Sequence, residues 1–382
     1  MSVLFQPQRL GRIEIRNRLV RSATYYGLAD ESGRVGDASV ELMKTLAGNA
    51  VGLIITGYAF VARSGQVFPD MNGIDSDEQI PGYRKMTRAV HDLEGRVVMQ
   101  IAHGGIASAT AVRRGEPRLA VSAGDEPADP ESGPREMTDE DIETIVDAFG
   151  RAARRVEEAG FDGVQIHGAH GYLVTQFLSP RSNRRRDRWG GSLENRMRFA
   201  VEVVRAIRRQ VDGDFPVMIK LGCRDYLDDG EGMTIEEGTS VAAALEGEGV
   251  CFIEVSHGMP GRSFRKMSHG KERAPIREAY LLPDARVIRG ATSVPLAVVG
   301  GMRSLSVMEE AIESGAVDCV SLCRPLIREP DLIERWRGGD TRPADCLSCG
   351  ACMKTDKEGK GEIHCRQIPP HSRPTTSPDI SR

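Results

Sequence analysis

Eight short apolar runs constrain the fold of this chain more than any other feature. Each is rich in small and branched apolar residues, which is typical of strands buried on both faces of a parallel sheet. Helical patterns lie between the runs, so we predict a parallel α/β sheet in which strands and helices alternate. The runs are Leu19 to Ala23, Val51 to Thr56, Val97 to Ile101, Gly163 to Ile166, Val217 to Leu221, Cys251 to Val255, Val294 to Val299 and Val317 to Leu322.

The segment from Thr138 to Glu158 has the clearest of the helical patterns. Thr138 and Asp141 resemble a capping box at its start, and Gly160 is a stop signal after its end. At the N-terminus, Leu10 to Arg18 alternates weakly and contains turn residues, which predicts a short hairpin that closes the bottom of a barrel.

Two folds can accommodate alternating strands and helices in a chain of 382 residues. A doubly wound open sheet normally carries a glycine-rich phosphate loop directly after its first strand. Here Ser22-Ala23-Thr24 ends that strand instead. A (β/α)8 TIM barrel with insertions is therefore favoured.

Composition excludes several classes of function. The formal net charge of −4 argues against a nucleic-acid-binding protein. No stretch approaches the roughly 18 apolar residues of a membrane span, and the N-terminus lacks the apolar core of a signal peptide. We therefore expect a cytoplasmic protein that acts on small-molecule substrates, and the sequence leaves its oligomeric state open.

The stretch from Asp162 to Phe199, DGVQIHGAHGYLVTQFLSPRSNRRRDRWGGSLENRMRF, carries most of the functional signal. Its apolar run ends in HGAHGY, where His167, His170 and Tyr172 place three proton-active side chains within six residues. Such groups at the carboxyl end of a buried strand indicate a catalytic site.

This stretch resembles, without a gap, a signature of the old yellow enzyme family of FMN-dependent oxidoreductases. The opening LGRIEIRNRLVRSA, the MQIAHGG around the third strand and the VVGG near the seventh also fit, so the resemblance extends from about Leu4 to Pro330. It implies a TIM barrel that binds FMN and uses NAD(P)H as the reductant.

The resemblance also implies roles for individual residues. His167 and His170 would hydrogen-bond the carbonyl oxygen of the substrate, and Tyr172 would supply a proton to its α-carbon. A cation at Lys220 would stabilise the negative charge of reduced FMN. The implied cofactor contacts are Ser22, Ala23, Thr24, Gln100, His167, Lys220, Gly300, Gly301, Cys323 and Arg324, the last four near the phosphate, with Cys323 standing where many relatives have glycine.

Taken one by one, these residues have plainer interpretations. A histidine near a strand end is more often structural, the HxxH spacing also suggests metal ligation, and paired glycines are common in turns. Tyr25, Tyr26 and Tyr58 follow the first two strands, where they could wall the substrate pocket or pack in the core.

A cysteine cluster near the C-terminus needs a separate explanation. Three thiols lie within seven residues, and a fourth follows a Lys- and Gly-rich loop; they are Cys346, Cys349, Cys352 and Cys365. This crowding favours an iron–sulfur cluster, because zinc sites more often use two separated CxxC pairs. A zinc site and reduced cysteines without a metal are the alternatives. The spacing is similar to that of the trimethylamine dehydrogenases and, less closely, the 2,4-dienoyl-CoA reductases, which hold a four-iron four-sulfur (4Fe-4S) cluster.

These observations predict three regions: an FMN-binding barrel over 1–335, a cysteine-rich extension over 336–366 and a disordered tail over 367–382. Because the sequence ends soon after Cys365, we expect no second flavin domain and no internal NADPH domain.

Three functions remain in competition. The favoured hypothesis is an ene-reductase that moves hydride from NAD(P)H through FMN to an activated alkene, such as an α,β-unsaturated carbonyl or enoyl compound. The alternative is an amine-type dehydrogenase that passes electrons from FMN through the cluster to a separate electron-transfer protein. A flavin or zinc redox sensor is the hypothesis without catalysis.

Overall fold

Eight parallel strands close into a barrel in the computed structural model of the chain, which describes residues 2–122, 133–269, 276–353 and 362–369. The barrel strands follow one another around the ring in chain order, and the last pairs with the first, with Val320 opposite Leu19. They are β3 (Leu19–Arg21), β4 (Leu53–Ile55), β6 (Val97–Ala102), β9 (Gly163–Gly168), β10 (Val217–Gly222), β11 (Ile253–Ser256), β12 (Leu296–Val299) and β13 (Cys319–Leu322).

Each barrel strand overlaps one of the eight predicted runs, and some extend one or two residues beyond it, so the predicted (β/α)8 fold is confirmed. The outer helices are α1 (Asp37–Gly48), α2 (Ile80–His91), α3 (Ala109–Arg113), α4 (Asp139–Glu158), α5 (Leu173–Leu178), α6 (Leu193–Arg208), α7 (Ile235–Gly247), α8 (Arg262–Ser268), α9 (Leu282–Arg289), α10 (Leu305–Glu313), α11 (Pro325–Arg328) and α12 (Leu332–Arg337).

The remaining strands are short. β5 (Ala59–Phe60) adds to β6, and β7 (Leu119–Ala120) pairs with β8 (Arg135–Glu136) outside the barrel. The other two, β1 (Gln8–Leu10) and β2 (Ile13–Ile15), form the predicted antiparallel hairpin.

The hairpin closes the bottom of the barrel with apolar side chains. Leu10 and Ile15 are buried, and they belong to one apolar cluster with Val98, Met218 and Phe252, which come from or adjoin three barrel strands. Because apolar residues fill this end, the polar chemistry of the barrel is restricted to the opposite end, where the strands finish.

The helix α4 forms as predicted. The Thr138 side chain accepts a hydrogen bond from the Asp141 N–H, the Asp141 carboxylate accepts one from the Thr138 N–H, and Gly160 follows the helix with φ +83°. In the described part of the chain, no helix combines the length and the apolar character that a bilayer span requires. The predicted disordered tail lies outside the described residues from 370 onward.

Candidate active site

A chain of buried polar side chains crosses the upper interior of the barrel. The Gln100 amide on β6 donates to Gln165 on β9 at 2.6 Å, and Gln165 donates to Glu254 on β11 at 3.1 Å. Glu254 accepts two further hydrogen bonds, from Ser22 at 2.6 Å and from the Lys220 ammonium at 3.1 Å. Side chains from separate strands therefore form one connected network.

Lys220 lies at the centre of this network and is paired with Glu254. Its Nζ lies 2.6 Å from the Ser22 hydroxyl and 3.1 Å from Glu254, and both members of the ion pair are buried. Burial acts to raise the pKa of the Glu254 carboxyl, but the charge of Lys220 and the hydrogen bonds from Ser22 and Lys220 together lower it below its usual value. The Glu254 carboxylate is therefore ionised in the barrel interior.

His167 follows the network at the end of β9, and it is buried with an unsatisfied nitrogen. Among the described residues, its Nδ1 atom has no hydrogen-bond partner. Burial, with a smaller effect of the Lys220 charge, lowers the pKa of His167 to about 3. A neutral imidazole that lacks a protein partner can bond to a ligand, because an unpaired buried polar atom is costly.

His170 is held beside His167 by an unusual backbone conformation. Its φ of +62° places it in the left-handed region, and its ring lies 5.1 Å from that of His167 and 4.6 Å from that of His257. Its Nε2 atom lies 2.8 Å from the Ser256 hydroxyl. Water reaches His170, yet the surrounding protein and the neighbouring imidazoles lower its pKa well below the usual value.

Tyr172 completes the group predicted from the HGAHGY motif. Its ring packs edge-on against His167 with the centroids 4.9 Å apart, and its hydroxyl lies 3.0 Å from that of Tyr58. Burial raises the pKa of Tyr172 to about 12, and the Tyr58 contact acts in the opposite direction. Tyr172 is therefore a protonated hydroxyl in the ordinary pH range, as a proton donor requires.

Gln176 on α5 fixes the backbone around Tyr172. Its amide donates to the carbonyl oxygens of Gly104 at 2.9 Å and Gly171 at 2.7 Å, and its N–H donates to the Tyr172 carbonyl at 2.8 Å. These bonds join the loop after β6 to the start of α5, so the position of Tyr172 depends on residues far away in sequence.

The three tyrosines after β3 and β4 have separate positions. Tyr58 faces the site, with its ring 5.6 Å from His167. Tyr25 packs against Tyr58 and bonds to Asp70. Tyr26 instead belongs to the main apolar core and accepts a hydrogen bond from Asn72. Of the three tyrosines, Tyr58 and Tyr25 lie where they can line the substrate pocket, and Tyr26 does not.

The predicted phosphate contacts lie after β12 and β13. Gly300 and Gly301 have φ of +140° and +74°, and in the described chain the backbone N–H groups of Gly301 and Cys323 are not used as donors. The Glu278 carboxylate accepts from the N–H groups of Arg303 and Ser304, each at 2.8 Å. The N–H groups at the start of α10 are therefore already hydrogen-bonded to Glu278. Among the described residues of this loop, the Gly301 N–H remains available to a ligand.

The side chain of Arg324 points toward the cysteine extension. Its Nη1 atom donates to the carbonyl oxygens of Ser348 at 2.8 Å and Ser268 at 3.1 Å. The Cys323 thiol lies 3.1 Å from the Thr24 hydroxyl, while Ala23 packs lower down against the cluster that holds the hairpin. The predicted contacts thus divide between the barrel interior and the boundary with the extension.

The four clustered cysteines line one cavity of about 370 Å³, which Arg324, Arg328 and Arg366 also border. Three of the sulfurs have N–H donors: Ser348 N lies 3.4 Å from Cys346, Gln367 lies 3.9 Å from Cys349, and Arg328 lies 3.6 Å from Cys365. Among the described residues, no group of three or more His, Cys, Asp or Glu side chains is arranged closely enough to hold a metal ion.

Several residues of the site were not predicted from the sequence, among them Gln165, Glu254 and His257. Gln165 and Glu254 are polar residues within otherwise apolar strands, and that contrast is a signal that could have identified them. His257 follows β11 in the same way that His167 ends β9. Burial lowers the pKa of His257 to about 4, so a third neutral imidazole adjoins the site.

Comparisons with known proteins agree with this geometry. The sequence model of the NADH:flavin oxidoreductase / NADH oxidase family matches residues 3–341. An NADH oxidase of Thermoanaerobacter brockii is 33% identical over 91% of this chain, which spans 52% of that protein. An NADPH dehydrogenase of Geobacillus sp. (strain WCH70) is 34% identical over 86% of this chain and 92% of that protein.

Solved structures show the same likeness. A 2-naphthoyl-CoA reductase in complex with 2-naphthoyl-CoA superposes with a TM-score of 0.82 at 28% identity, over 92% of this chain and 54% of that one. An old yellow enzyme homologue from Zymomonas mobilis gives a TM-score of 0.76 at 26% identity, over 94% of this chain and 98% of that one. The chain thus spans about half the length of some relatives and nearly the whole of others.

Proposed function

Because the chain belongs to the NADH:flavin oxidoreductase / NADH oxidase family, we propose that it is an FMN-dependent ene-reductase that takes hydride from NAD(P)H and reduces an activated alkene. The observation that carries this proposal is the convergence of His167, His170 and Tyr172 beside buried Lys220 at the carboxyl ends of the barrel strands. The relatives named for NADH and NADPH oxidation support the choice of reductant.

The residues present fit FMN. In the described part of the chain, the Nδ1 atom of His167 and the N–H groups of Gly301 and Cys323 have no protein partner, so they are available to a polar ligand, and Lys220 provides a buried cation. We assign the ring to Ser22, Ala23, Thr24, Gln100, His167 and Lys220, and the phosphate to Gly300, Gly301, Cys323 and Arg324. Bound FMN would supply two-electron hydride exchange, which no side chain can perform.

The two histidines would bind the substrate carbonyl as neutral donors. We assign the Ser256 hydroxyl as the hydrogen-bond donor to Nε2 of His170, 2.8 Å away, so that the proton of the neutral ring lies on Nδ1 and is available to a substrate oxygen. His167 offers its unpaired nitrogen in the same region. Both hydrogen bonds strengthen as negative charge develops on the oxygen, so they lower the activation barrier and not only the dissociation constant of the substrate.

Tyr172 would protonate the α-carbon of the alkene. When its proton leaves, the Tyr58 hydroxyl can donate to the phenolate oxygen across the 3.0 Å contact. The same contact moderates the rise in the pKa of Tyr172. Proton donation by a positioned side chain is worth roughly 10²–10⁴ in rate.

The cysteine cavity favours a second candidate function, an amine-type dehydrogenase. Cys346, Cys349, Cys352 and Cys365 would hold a 4Fe-4S cluster, because all four border one cavity and N–H donors approach three of the sulfurs. Such a cluster would pass single electrons to a separate electron-transfer protein. Arginines at the cavity would offset the negative charge of a thiolate-bound cluster.

An anaerobic stopped-flow experiment separates the two functions. Rapid reduction of bound FMN by NADH or NADPH, followed by reoxidation with an α,β-unsaturated ketone or enoyl thioester, supports the ene-reductase. Inertness to both nucleotides together with reduction by an amine supports the dehydrogenase. If no donor reduces the bound flavin, the redox-sensor hypothesis is the one that remains. If the protein cannot be loaded with FMN, both enzyme hypotheses are wrong.

The regional organisation belongs to the same proposal. The barrel over 1–335 would carry the flavin chemistry, and the extension over 336–366 would be an iron–sulfur region docked on it. The extension returns to the barrel at Ile363, whose N–H donates to the Tyr26 carbonyl at 3.2 Å. We place the protein in the cytoplasm, where reduced nicotinamide nucleotides supply the hydride.

A further inference from the structure

Glu254 is a fully buried carboxylate to which the proposed reaction assigns no task. It is 0% exposed, and its two oxygens accept from Ser22, Lys220 and Gln165. A negative charge in a barrel interior is costly unless a cation and hydrogen bonds compensate it. This charge lies beside Lys220, the lysine that would face the flavin.

The groups around the ion pair are neutral. Burial lowers the pKa of His167 to about 3, and it also lowers that of His170 well below its usual value. Ser22, Gln100 and Gln165 carry no charge. Among these surrounding groups, therefore, nothing but Glu254 offsets the charge of the Lys220 ammonium.

We infer that Glu254 sets the reduction potential of the bound flavin by neutralising part of the charge that Lys220 presents to it. This inference rests on the proposed function, because it takes Lys220 to adjoin the FMN ring. Reduction adds negative charge to the ring, and Lys220 attracts that charge whereas Glu254 repels it. Removal of Glu254 should therefore favour the reduced form.

Positioning is the second part of this role. The carboxylate and the Ser22 hydroxyl hold Nζ from two different strands, at 3.1 Å and 2.6 Å. These two contacts keep the ammonium in the barrel interior, away from an anionic substrate at the open end of the barrel. Glu254 is therefore a positioning residue that acts through Lys220, and it need not touch substrate or cofactor.

The test is a double-mutant cycle on the midpoint potential of bound FMN, measured at pH 6 by dye equilibration. Glu254→Gln keeps the size and hydrogen-bonding shape but removes the charge. It should raise the preference for reduced over oxidised FMN about tenfold, a positive shift of roughly 30 mV for a two-electron couple. Lys220→Met should shift the potential in the opposite direction. In the Lys220→Met background, Glu254→Gln should have little effect, because burial raises the pKa of a carboxyl that has lost its cation and keeps it protonated at pH 6.

Asp284→Asn is the matched control. Asp284 is another buried carboxylate, but its partners are Tyr226, Cys223 and Arg224 rather than Lys220. Its substitution should leave the potential unchanged. An equal shift in Asp284→Asn, or an equal effect of Glu254→Gln with and without Lys220, would show a general structural effect and overturn the inference.

Thermal unfolding of the FMN-free proteins supplies a readout that does not depend on the cofactor. Lys220→Met leaves a buried carboxylate without its cation, so it should lower the melting temperature, and adding Glu254→Gln should recover part of that loss. No recovery would mean that the two residues are not coupled. If wild type binds FMN and exchanges hydride but Glu254→Gln leaves the potential unchanged, this inference alone is overturned. If wild type cannot bind FMN, the proposed function is overturned as well.

Discussion

The hydroxyl of Tyr172 lies 3.0 Å from the hydroxyl of Tyr58, and the two rings meet edge to face with their centroids 5.4 Å apart. The two residues are separated by 114 positions in the sequence. The contact links the proposed proton donor to a second phenol, and it lowers the pKa of Tyr172 against the larger effect of burial, which raises it.

We predict that Tyr172→Phe slows alkene reduction by roughly 10²–10⁴ because the proton donor is lost. Flavin binding and reduction by NAD(P)H should be nearly unchanged. The two half-reactions are measured separately by anaerobic stopped-flow absorbance. Equal losses in both would assign Tyr172 a structural role instead.

Tyr58→Phe should slow the same step by roughly 10- to 10²-fold, since a hydrogen bond to a charged partner is worth about 1.5–3 kcal/mol. Tyr26→Phe is the matched control, because Tyr26 is a buried tyrosine that bonds to Asn72 in the core. An equal decrease in the rate of alkene reduction in both variants would contradict a direct role of Tyr58.

The pH profile of alkene reduction should be flat through the neutral range. The pKa of Tyr172 is raised to about 12, so the donor keeps its proton until strongly alkaline pH, and His167 stays neutral above its pKa of about 3. Single-turnover rates between pH 6 and pH 9 check this. A tenfold change centred near pH 6.5 would show that a histidine titrates in the reaction.

His167→Ala should weaken both the binding of a saturated ketone to the oxidised enzyme and the rate of alkene reduction, the latter by roughly 10². The His167 nitrogen acts on the bound oxygen and more strongly on the developing charge. Flavin absorbance titration and stopped-flow rates measure the two effects. His91→Ala is the control, because His91 bonds to Asp162 away from the site. Intact ketone binding in His167→Ala would contradict the assignment.

The protein should lose stability on mild acidification. His103 and His167 have pKa values lowered to about 3, and His257 has one lowered to about 4, because all three are buried. The unfolded chain binds these protons near pH 6.5, whereas the folded chain does not, so stability falls as the pH drops below about 6.5. Each histidine contributes a slope of roughly 1.4 kcal/mol per pH unit. Urea unfolding at pH 7, 6 and 5 measures the slope, and equal stability at these values would contradict it.

Cys349→Ala should abolish bound iron and inorganic sulfide while FMN remains, because the flavin contacts lie on the barrel strands. Electron transfer to a one-electron acceptor should fall, and hydride exchange with the nicotinamide should persist. Cys251→Ala, a change near Gly11 at the opposite end of the barrel, is the control that should keep its iron. Zinc in anaerobically purified wild type, in place of iron and sulfide, would contradict the electron outlet.

Local sequence was sufficient to determine the elements of this fold. The eight barrel strands, the capping box of α4 and the N-terminal hairpin depend on apolar runs, cap residues and turn residues, which act over a few positions. The HGAHGY motif likewise carries His167, His170 and Tyr172 on one short segment, so their proximity is a local property.

The tertiary structure decided which distant side chains meet in the barrel interior. Lys220 bonds to Ser22 across 198 positions, and no local pattern predicts that Glu254 is its counter-charge. Closure of the sheet determines such contacts, because it brings the ends of separate strands to one axis. The same closure placed Tyr58 at the site and Tyr26 in the core, although both follow barrel strands and have the same side chain.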